Sequence, residues 1–368
     1  MERQAKNKRN ASIELLRNLA MLFIVMLHLL GKTGAIDQLT AGTSVWAGAW
    51  ILSAVCRMGN NIFIIISGYF YKENKFKLHK LLNMWLSVWV YSVGLTLVAK
   101  YIFGLELSSG FKNVIFPIVK GEYWFMTVYI GLYCLMPYVK LLIQHMTAKM
   151  YRMLLLVCFL FFSIIPILFS MEEWMNSGGG FGIVWFVFLY LLGAYVRDND
   201  VARSKLLSGA KKWLWCLMIL IPPLYQFALE FLRGFGIQND ILEGWTNYLY
   251  IQNSPVVLLA SAAMVICFAG ITIKSPVATK VITFLGSGCL GVYLIHNNRN
   301  ISHFLWESLK INYWLAERGN FLVILLIAVA VFLACNLIEH LRQYVFKLLK
   351  IDKLILRISN RITERIHL

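Results

Sequence analysis

Long apolar runs recur along nearly the whole chain, and they constrain the fold more than any other feature. A helix needs about 20 residues to cross the roughly 30 Å hydrocarbon core of a bilayer. Ten runs are about that long, and 105–121 holds a shorter one that would be a re-entrant piece or an eleventh span. We therefore predict an all-α fold, a polytopic membrane bundle of about ten transmembrane helices. The predicted spans are 13–31, 45–71, 81–104, 122–139, 153–170, 181–196, 213–231, 251–273, 281–298 and 319–341.

The basic residues predict the orientation of these spans. A net charge of +17 would favour nucleic-acid binding in a soluble protein, but only 14% of these residues are charged and 59% are hydrophobic. The cations therefore belong to short connecting segments, and we expect no nucleic-acid partner. An inside N-terminus places 26 of the 35 Lys and Arg residues on the inner side. Inner loops are enriched in these residues, so we predict both termini in the cytoplasm and a multi-pass protein of the cytoplasmic membrane.

The two ends of the chain have different predicted roles. The first apolar run is long and lacks a small-residue cleavage site, so we expect an uncleaved first helix rather than a signal peptide. Residues 1–341 would form one transmembrane domain, since no connecting segment exceeds about twenty residues. Residues 342–368 alternate cations with apolar residues. We predict a basic amphipathic helix on the anionic inner leaflet, with membrane lipids as its partner; a disordered tail is the alternative.

Two sequence features that can mark a metal site or a dinucleotide site, the cysteines and a glycine motif, do not predict one here. All seven cysteines fall in apolar spans without a CxxC pair, which is typical of buried packing residues. Gly286, Gly288 and Gly291 spell GxGxxG, but they lie in a span and lack the strand that precedes a dinucleotide site. We expect these glycines to allow close packing of helices instead.

Ionisable side chains inside a span are costly and usually functional. The first span carries Glu14, Arg17 and His28. Arg17 and His28 are eleven residues apart, about 16 Å of rise and only about 20° from a common helix face. We predict a stripe from a cation at the inner surface to an imidazole in the outer half. The alternative for His28 is a core histidine satisfied by a neighbouring carbonyl.

Three other spans bring polar side chains to the predicted depth of His28. They are Arg57 and Asn61 in the second span, Glu122, Tyr123 and Trp124 at the outer end of the fourth, and His296 in the ninth. Simpler alternatives exist: Arg57 reaching the surface, Trp124 in an interfacial aromatic belt, and His296 at a helix end. Taken together, these residues predict a polar pocket that opens outward.

The segments that carry these residues resemble the acyltransferase-3 family of membrane acyltransferases. The family's Arg-x10-His motif corresponds to Arg17 and His28. Tyr123 departs from the pattern, since a histidine is common there, and the role of that histidine is therefore not carried over to Tyr123. We expect a stand-alone member without an appended hydrolase-like domain. The matching segments are IELLRNLAMLFIVMLH (13–28), RMGNNIFIIISGYF (57–70), YWFMTVYIGLYCLMPYV (123–139), FLYLLGAYV (188–196) and LGVYLIH (290–296).

The resemblance implies transfer of an acyl group, usually acetyl from acetyl-CoA, to hydroxyls of cell-envelope carbohydrate. Arg17, helped by Lys72 and Lys75, would bind the CoA phosphates. His28 would be the general base or a transient acyl carrier, with Glu14 orienting Arg17. The remaining candidates would bind substrate: Arg57, Asn61, Glu122, Tyr123, Trp124 and His296. The acceptor would be a carbohydrate or lipid-linked glycan, reached directly or through partner proteins of envelope biosynthesis.

A transporter or flippase of a polar or lipid-linked glycan is the main alternative, since intramembrane His, Arg and Glu also mark transport paths. Against it, the sequence shows no repeated halves with matching broken helices. A glycan polymerase would generally present a large outer loop, which these spans do not leave room for.

Overall fold

The computed structural model confirms an all-α protein. It describes residues 10–40, 42–73, 76–169, 178–203 and 251–366, with isolated positions between 175 and 236, and these residues form no β-strand. The main helices are α1 (Ala11–Lys32), α2 (Ser44–Cys56), α3 (Met58–Tyr69), α4 (Leu78–Tyr101), α5 (Phe111–Ile115), α6 (Trp124–His145), α7 (Ala148–Phe159), α8 (Ile165–Leu168), α9 (Ile183–Asp198), α10 (Pro255–Ala269), α11 (Pro276–His296), α12 (Arg299–Ser308), α13 (Phe321–Leu348) and α14 (Ile351–Ile366). A π-helical turn, Leu160–Ile164, joins α7 to α8.

Seven membrane-spanning candidates occur within the described residues, by helix length and hydropathy. One of them combines α2 with α3, and another combines α7 with α8. The predicted spans 181–196 and 251–273 correspond to α9 and α10, which have 16 and 15 residues. The predicted span 213–231 lies mostly outside the described residues. A multi-pass architecture is therefore confirmed, whereas the count of ten stays a prediction.

The second predicted span is not one continuous helix. It breaks at Arg57, which ends α2 and precedes α3. Gly59 follows at once and packs so closely on α1 that an added Cβ would lie 2.9 Å from the carbonyl oxygen of Ala20. Glycine is a weak helix former, but here it lets α3 approach α1 just inside the break. Arg57 lies within electrostatic range of His28 of α1.

Helix α1 packs against α2, α3, α10, α11 and α13. Its neighbour α11 approaches α1 at Gly286 and approaches α13 at Gly288 and Gly291. An added Cβ would lie 2.6 Å from Oε2 of Glu14 at Gly286, 2.6 Å from the amide of Asn336 at Gly288, and would overlap Glu339 at Gly291. The prediction of close packing at these glycines is confirmed, and polar side chains fill the space that the missing Cβ atoms leave.

The last predicted span ends at 341, but α13 continues to Leu348. The predicted tail therefore begins inside that helix. Residues Ile351–Ile366 then form α14, which packs on α4. Ile355 and Ser359 are buried, whereas Leu354 and Ile358 remain exposed. An amphipathic helix is thus present, and its placement on the inner leaflet stays a prediction.

Candidate active site

Arg17 and Glu14 form an ion pair near the start of α1. Nη1 of Arg17 lies 2.8 Å from each carboxylate oxygen of Glu14. The Glu14 side chain is 4% exposed and that of Arg17 is 26% exposed. A carboxylate buried this deeply requires a charged partner. The pairing therefore fixes the guanidinium in one orientation while leaving part of it accessible.

A cavity of about 310 Å³, here called the Arg17 cavity, follows one face of α1. Arg17, Met21 and Ile24 line it at i, i+4 and i+7, which is one side of a helix. The other walls come from α3, α4, α6 and α11 and are mostly apolar, with Tyr293 among them. His28 follows at i+11, so the cavity runs along the predicted stripe.

His28 and His296 are in direct contact. Nδ1 of His28 lies 2.9 Å from Nε2 of His296, and the two ring centroids are 5.1 Å apart. His296 is fully buried, and its ring centroid is 6.3 Å from that of Tyr293. The histidine pair therefore stands beside Tyr293, a wall of the Arg17 cavity.

The hydrogen bonds of the pair determine its tautomers. Nδ1 of His296 bonds to the backbone carbonyl of Val292. A carbonyl only accepts, so Nδ1 of His296 carries the hydrogen, and Nε2 of the neutral ring does not. Nδ1 of His28 must therefore donate to Nε2 of His296. In this assignment Nε2 of His28 keeps its lone pair, as a general base requires.

Two cations lie near the pair. Lys32 and Arg57 both act electrostatically on His28. Lys32 follows His28 by one turn of α1, and its Nζ donates to Oδ1 of Asn297 over 2.6 Å. Positive charge held near the reacting group stabilises negative charge that develops on a substrate. The surroundings of His28 are therefore suited to forming an oxyanion.

A second cavity, the Trp306 cavity, has a volume of about 250 Å³ and is lined by Lys32, Trp306 and residues near the end of α12. The indole of Trp306 lies 6.3 Å from the ring of His296, measured between centroids. His296 thus neighbours one lining residue of each cavity, Tyr293 and Trp306. Along α1, Ile24 of the Arg17 cavity precedes His28 by about one turn, and Lys32 of the Trp306 cavity follows it by one turn. Neither histidine is among the lining residues, and the pair lies between the two cavities.

A third cavity, the Arg342 cavity, has a volume of about 570 Å³ and lies between α4, α11, α13 and the start of α14. It shares Met84, Ser287 and Leu290 with the Arg17 cavity, so the two adjoin. Arg342 donates to both oxygens of Glu339, over 2.8 and 2.6 Å. The Arg342 cavity is the more polar of the two and opens beside the last turns of α13.

One family model covers most of this chain. The model, described as an acyltransferase domain and called Acyl_transf_3, matches residues 10–340. The chain belongs to this acyltransferase family. No curated protein and no solved structure matches it significantly. The resemblance drawn from the sequence motifs is therefore confirmed, and the protein is a multi-pass membrane acyltransferase.

Two predicted substrate residues of the acyltransferase contact the segment that follows His296. The hydroxyl of Tyr123 accepts a hydrogen bond from Nδ2 of Asn298 over 2.8 Å, and its ring centroid is 6.2 Å from that of Tyr293. Glu122 accepts a hydrogen bond from Ser109 and lies 3.5 Å from Nε of Arg299. Tyr123 thus supports the turn that follows His296, while Glu122 balances a cation at the same end of the bundle.

Other predicted residues have structural partners elsewhere. Asn61 donates to the carbonyl of Gln252 over 2.8 Å and accepts from Nε1 of Trp185 over 3.1 Å. Trp124 packs edge-on against Phe181 and Phe186. Both residues thus take part in packing the bundle and do not line the three cavities described above, and their role in substrate binding stays a prediction.

Lys72, one of the two lysines predicted to assist Arg17, does not line the cavities described above. Nζ of Lys72 forms a 2.6 Å ion pair with Asp198, and Tyr71 donates to the same carboxylate. Lys75 lies outside the described residues. Arg342 and Lys347, which the sequence reasoning did not single out, line the Arg342 cavity instead.

Glu339 was missed, although the sequence contained a signal for it. It is an acidic residue inside the last predicted span, and Glu14 was singled out for that reason. Glu339 is 2% exposed and also accepts from Tyr91 over 2.7 Å. Trp306 carried no comparable signal. Its segment, between the ninth and tenth predicted spans, had no predicted structure, and a tryptophan there is typical of the interface.

Proposed function

We propose that this acyltransferase is an O-acetyltransferase of the cytoplasmic membrane. It would transfer an acetyl group from cytoplasmic acetyl-CoA to a hydroxyl of a cell-envelope or exported polysaccharide. One observation carries the proposal: the His28–His296 pair lies between the Arg17 cavity and the Trp306 cavity. Two substrates approaching from opposite sides would meet at a base.

The donor side has the chemistry that an acyl-CoA needs. A CoA thioester has a phosphorylated nucleotide at one end and a slender, uncharged arm at the other. The polar Arg342 cavity, lined by Arg342, Gln343 and Lys347, suits the nucleotide. The adjoining Arg17 cavity is mostly apolar and suits the arm. Arg17 lines its wall, where a planar guanidinium can bind a phosphate through two parallel hydrogen bonds.

His28 and the residues around it account for the acyl-transfer step. Nε2 of His28 takes the proton of the acceptor hydroxyl as the hydroxyl oxygen attacks the thioester carbonyl. The resulting oxyanion is stabilised by Lys32 and Arg57. When the C–S bond breaks, His28 returns the proton to the departing thiolate. His296 holds the ring of His28 in the reactive tautomer, a positioning role like that of an orienting carboxylate in a catalytic triad.

The acceptor would enter from the Trp306 side. The excess of Lys and Arg in the loops expected on the inner side supports placing the Arg17 end in the cytoplasm. The Trp306 end would then face outward, where envelope carbohydrate is found. Direct transfer to an exported or lipid-linked glycan follows from this orientation, with no partner protein needed to carry the acyl group.

The test uses purified protein in lipid nanodiscs, acetyl-CoA labelled in the acetyl group, and envelope polysaccharide from cells that lack the gene. We expect labelled ester on the polysaccharide with the wild-type protein. His28→Ala should lower its formation about 10²- to 10⁴-fold, the range of general base catalysis. The matched control is His145→Ala, because His145 is an exposed histidine bonded to a backbone carbonyl of α6.

Cells with and without the gene provide the second arm, in which nuclear magnetic resonance and mass spectrometry identify the ester on the polysaccharide. Loss of one acetyl ester on deletion, restored by wild-type protein and not by His28→Ala, supports the proposal. Unchanged acetylation together with loss of polysaccharide from the outer face would instead support the transport alternative. Failure of the wild-type protein to bind acetyl-CoA would contradict the proposed donor.

A further inference from the structure

The Trp306 cavity contains hydrogen-bonding atoms that the protein itself leaves unused. Trp306 is 1% exposed, yet its Nε1–H has no hydrogen-bond partner, and neither has the buried Oδ1 of Asn312. Both residues line the cavity. A buried polar group without a partner costs about 1–3 kcal/mol. One donor and one acceptor in the same wall would be satisfied by a polar ligand.

The size and shape of the cavity indicate the kind of ligand. Its volume is about 250 Å³, just below the roughly 300–1,000 Å³ of pockets that hold drug-sized molecules. Trp306 offers both an aromatic surface and an N–H donor. One sugar ring has the matching features: an apolar face that can lie against an indole, and hydroxyl groups at its edge that both donate and accept.

The charge around the cavity narrows the choice of sugar. Among the described residues that line it are Lys32, Lys310 and one carboxylate, Glu307, which is 3.0 Å from Nδ1 of His303. Arg299, near Lys32, is balanced by Glu122 and adds nothing to this charge. Lys32 uses one hydrogen bond on Asn297, and an ammonium group has three donors. The excess of positive charge favours an anionic ligand.

We propose that the Trp306 cavity is the acceptor subsite and that it selects a sugar unit bearing an anionic group, either a carboxylate or a phosphate. The sugar ring lies on Trp306, its hydroxyls accept from Nε1 of Trp306 and donate to Oδ1 of Asn312, and the anionic group lies beside Lys310. The proposal rests on the proposed acetyl transfer. It adds to that function a requirement for charge on the acceptor.

The test measures binding to the full-length protein in nanodiscs by calorimetry. Maltotriose serves as the neutral probe, the trimer of galacturonic acid as the carboxylate probe, and glucose 1-phosphate as the phosphate probe. We expect at least one anionic probe to bind about tenfold or more tightly than maltotriose, with an advantage that decreases as salt is added. Which anionic probe binds tells carboxylate from phosphate.

Two variants and a matched control assign the binding to this cavity. Lys310→Gln should remove most of the advantage of the anionic probe. Trp306→Phe keeps an aromatic ring but deletes the N–H, and it should weaken all bound sugars by roughly fivefold, the loss of about one hydrogen bond. Lys112→Gln makes the same charge change at an exposed site on α5 and should change nothing. Binding of labelled acetyl-CoA should stay at the wild-type level in all three.

The proposal is overturned if the wild-type protein binds no anionic probe more tightly than maltotriose. It is equally overturned if Lys310→Gln and Trp306→Phe bind sugars as the wild type does. Either result leaves the acetyl transfer intact as long as labelled acetyl-CoA still binds and acetylates the polysaccharide. If instead the proposed acetyl transfer is wrong, the wild-type protein should fail to bind acetyl-CoA.

Discussion

The two ends of the α1 face that carries Arg17 and His28 differ in how their positive charges are balanced. At one end, Arg17 is held by a carboxylate, Glu14, at 2.8 Å. At the other end, His28 is bonded to a second imidazole, and Lys32 is bonded to an amide rather than a carboxylate. The Arg17 end is charge-balanced and fixed, whereas the His28 end has positive charge that these contacts leave unbalanced.

This difference assigns binding of the acyl donor to the Arg17 end and the chemical step to the His28 end. A balanced, oriented cation can hold a permanent anion equally well throughout a reaction, which changes KM but gives no rate advantage to the chemical step. Unbalanced positive charge gains most when a negative charge appears, that is, in the transition state. We therefore expect changes near Arg17 to affect the Michaelis constant for the acyl donor, and changes near His28 to affect kcat.

Among the substitutions that test the difference between the two ends, His296→Ala should change the kinetic constants most. Without its partner, His28 can adopt either tautomer and rotate, so kcat should fall about 100-fold while KM for acetyl-CoA stays within about twofold. Steady-state kinetics in nanodiscs measure both constants. A rise in KM with unchanged kcat would assign His296 to donor binding and would break the comparison.

Arg17→Gln comes next. Losing a charged phosphate contact should raise KM for acetyl-CoA about 10- to 100-fold with a small change in kcat. Arg17→Lys should recover only part of the affinity, because an ammonium cannot form two parallel hydrogen bonds with a phosphate. If Arg17→Gln lowers kcat as much as His296→Ala does, the Arg17 end also takes part in the chemical step, and the proposed difference between the two ends is wrong.

A smaller effect is expected from Gly286→Ala. The new Cβ would lie 2.6 Å from Oε2 of Glu14, so the carboxylate must shift and Arg17 with it. We expect KM for acetyl-CoA to rise about three- to tenfold, because a small displacement of the guanidinium weakens its contact with the phosphate without removing it. Gly94→Ala in α4 is the matched control, because nothing lies within 4 Å of the added atom. Equal KM values in the two variants would contradict the link between α11 packing and Arg17.

Tyr123→Phe should have the smallest effect. It deletes the hydrogen bond from Asn298, which is one neutral bond worth about 1 kcal/mol, and it keeps the ring against Tyr293. We expect kcat to fall no more than about fivefold, measured in the same assay. A loss as large as that of His28→Ala would instead place the phenol among the reacting groups.

Much of the fold follows from the sequence because membrane spans are long apolar runs, and length alone identifies them. The break at Arg57 does not follow, because it depends on how closely Gly59 approaches α1. The extension of α13 to Leu348 was missed for a related reason. Once cations enter a helix, hydropathy no longer marks its end, although the backbone hydrogen bonds continue.

For the candidate site, the stripe of Arg17 and His28 could be predicted because both lie on one helix, where spacing fixes direction. The contact between His28 and His296 could not be predicted at the level of atoms. It depends on the rotation of α11 against α1, which Gly286 and its neighbours set by packing. Glu339 could have been found by applying to the last span the rule that identified Glu14.

The most direct test of a donor path from Arg17 to His28 uses an acyl-CoA with a photoreactive group at the acyl end. The protein in nanodiscs is irradiated with this compound, and mass spectrometry locates the adducts. We expect them at Met126 or Tyr293, which both line the Arg17 cavity, or at His28. We expect Arg17→Gln to reduce them strongly at the same concentration. Adducts confined to the exposed ends of the helices, or adducts at these three residues that do not depend on Arg17, would contradict the account.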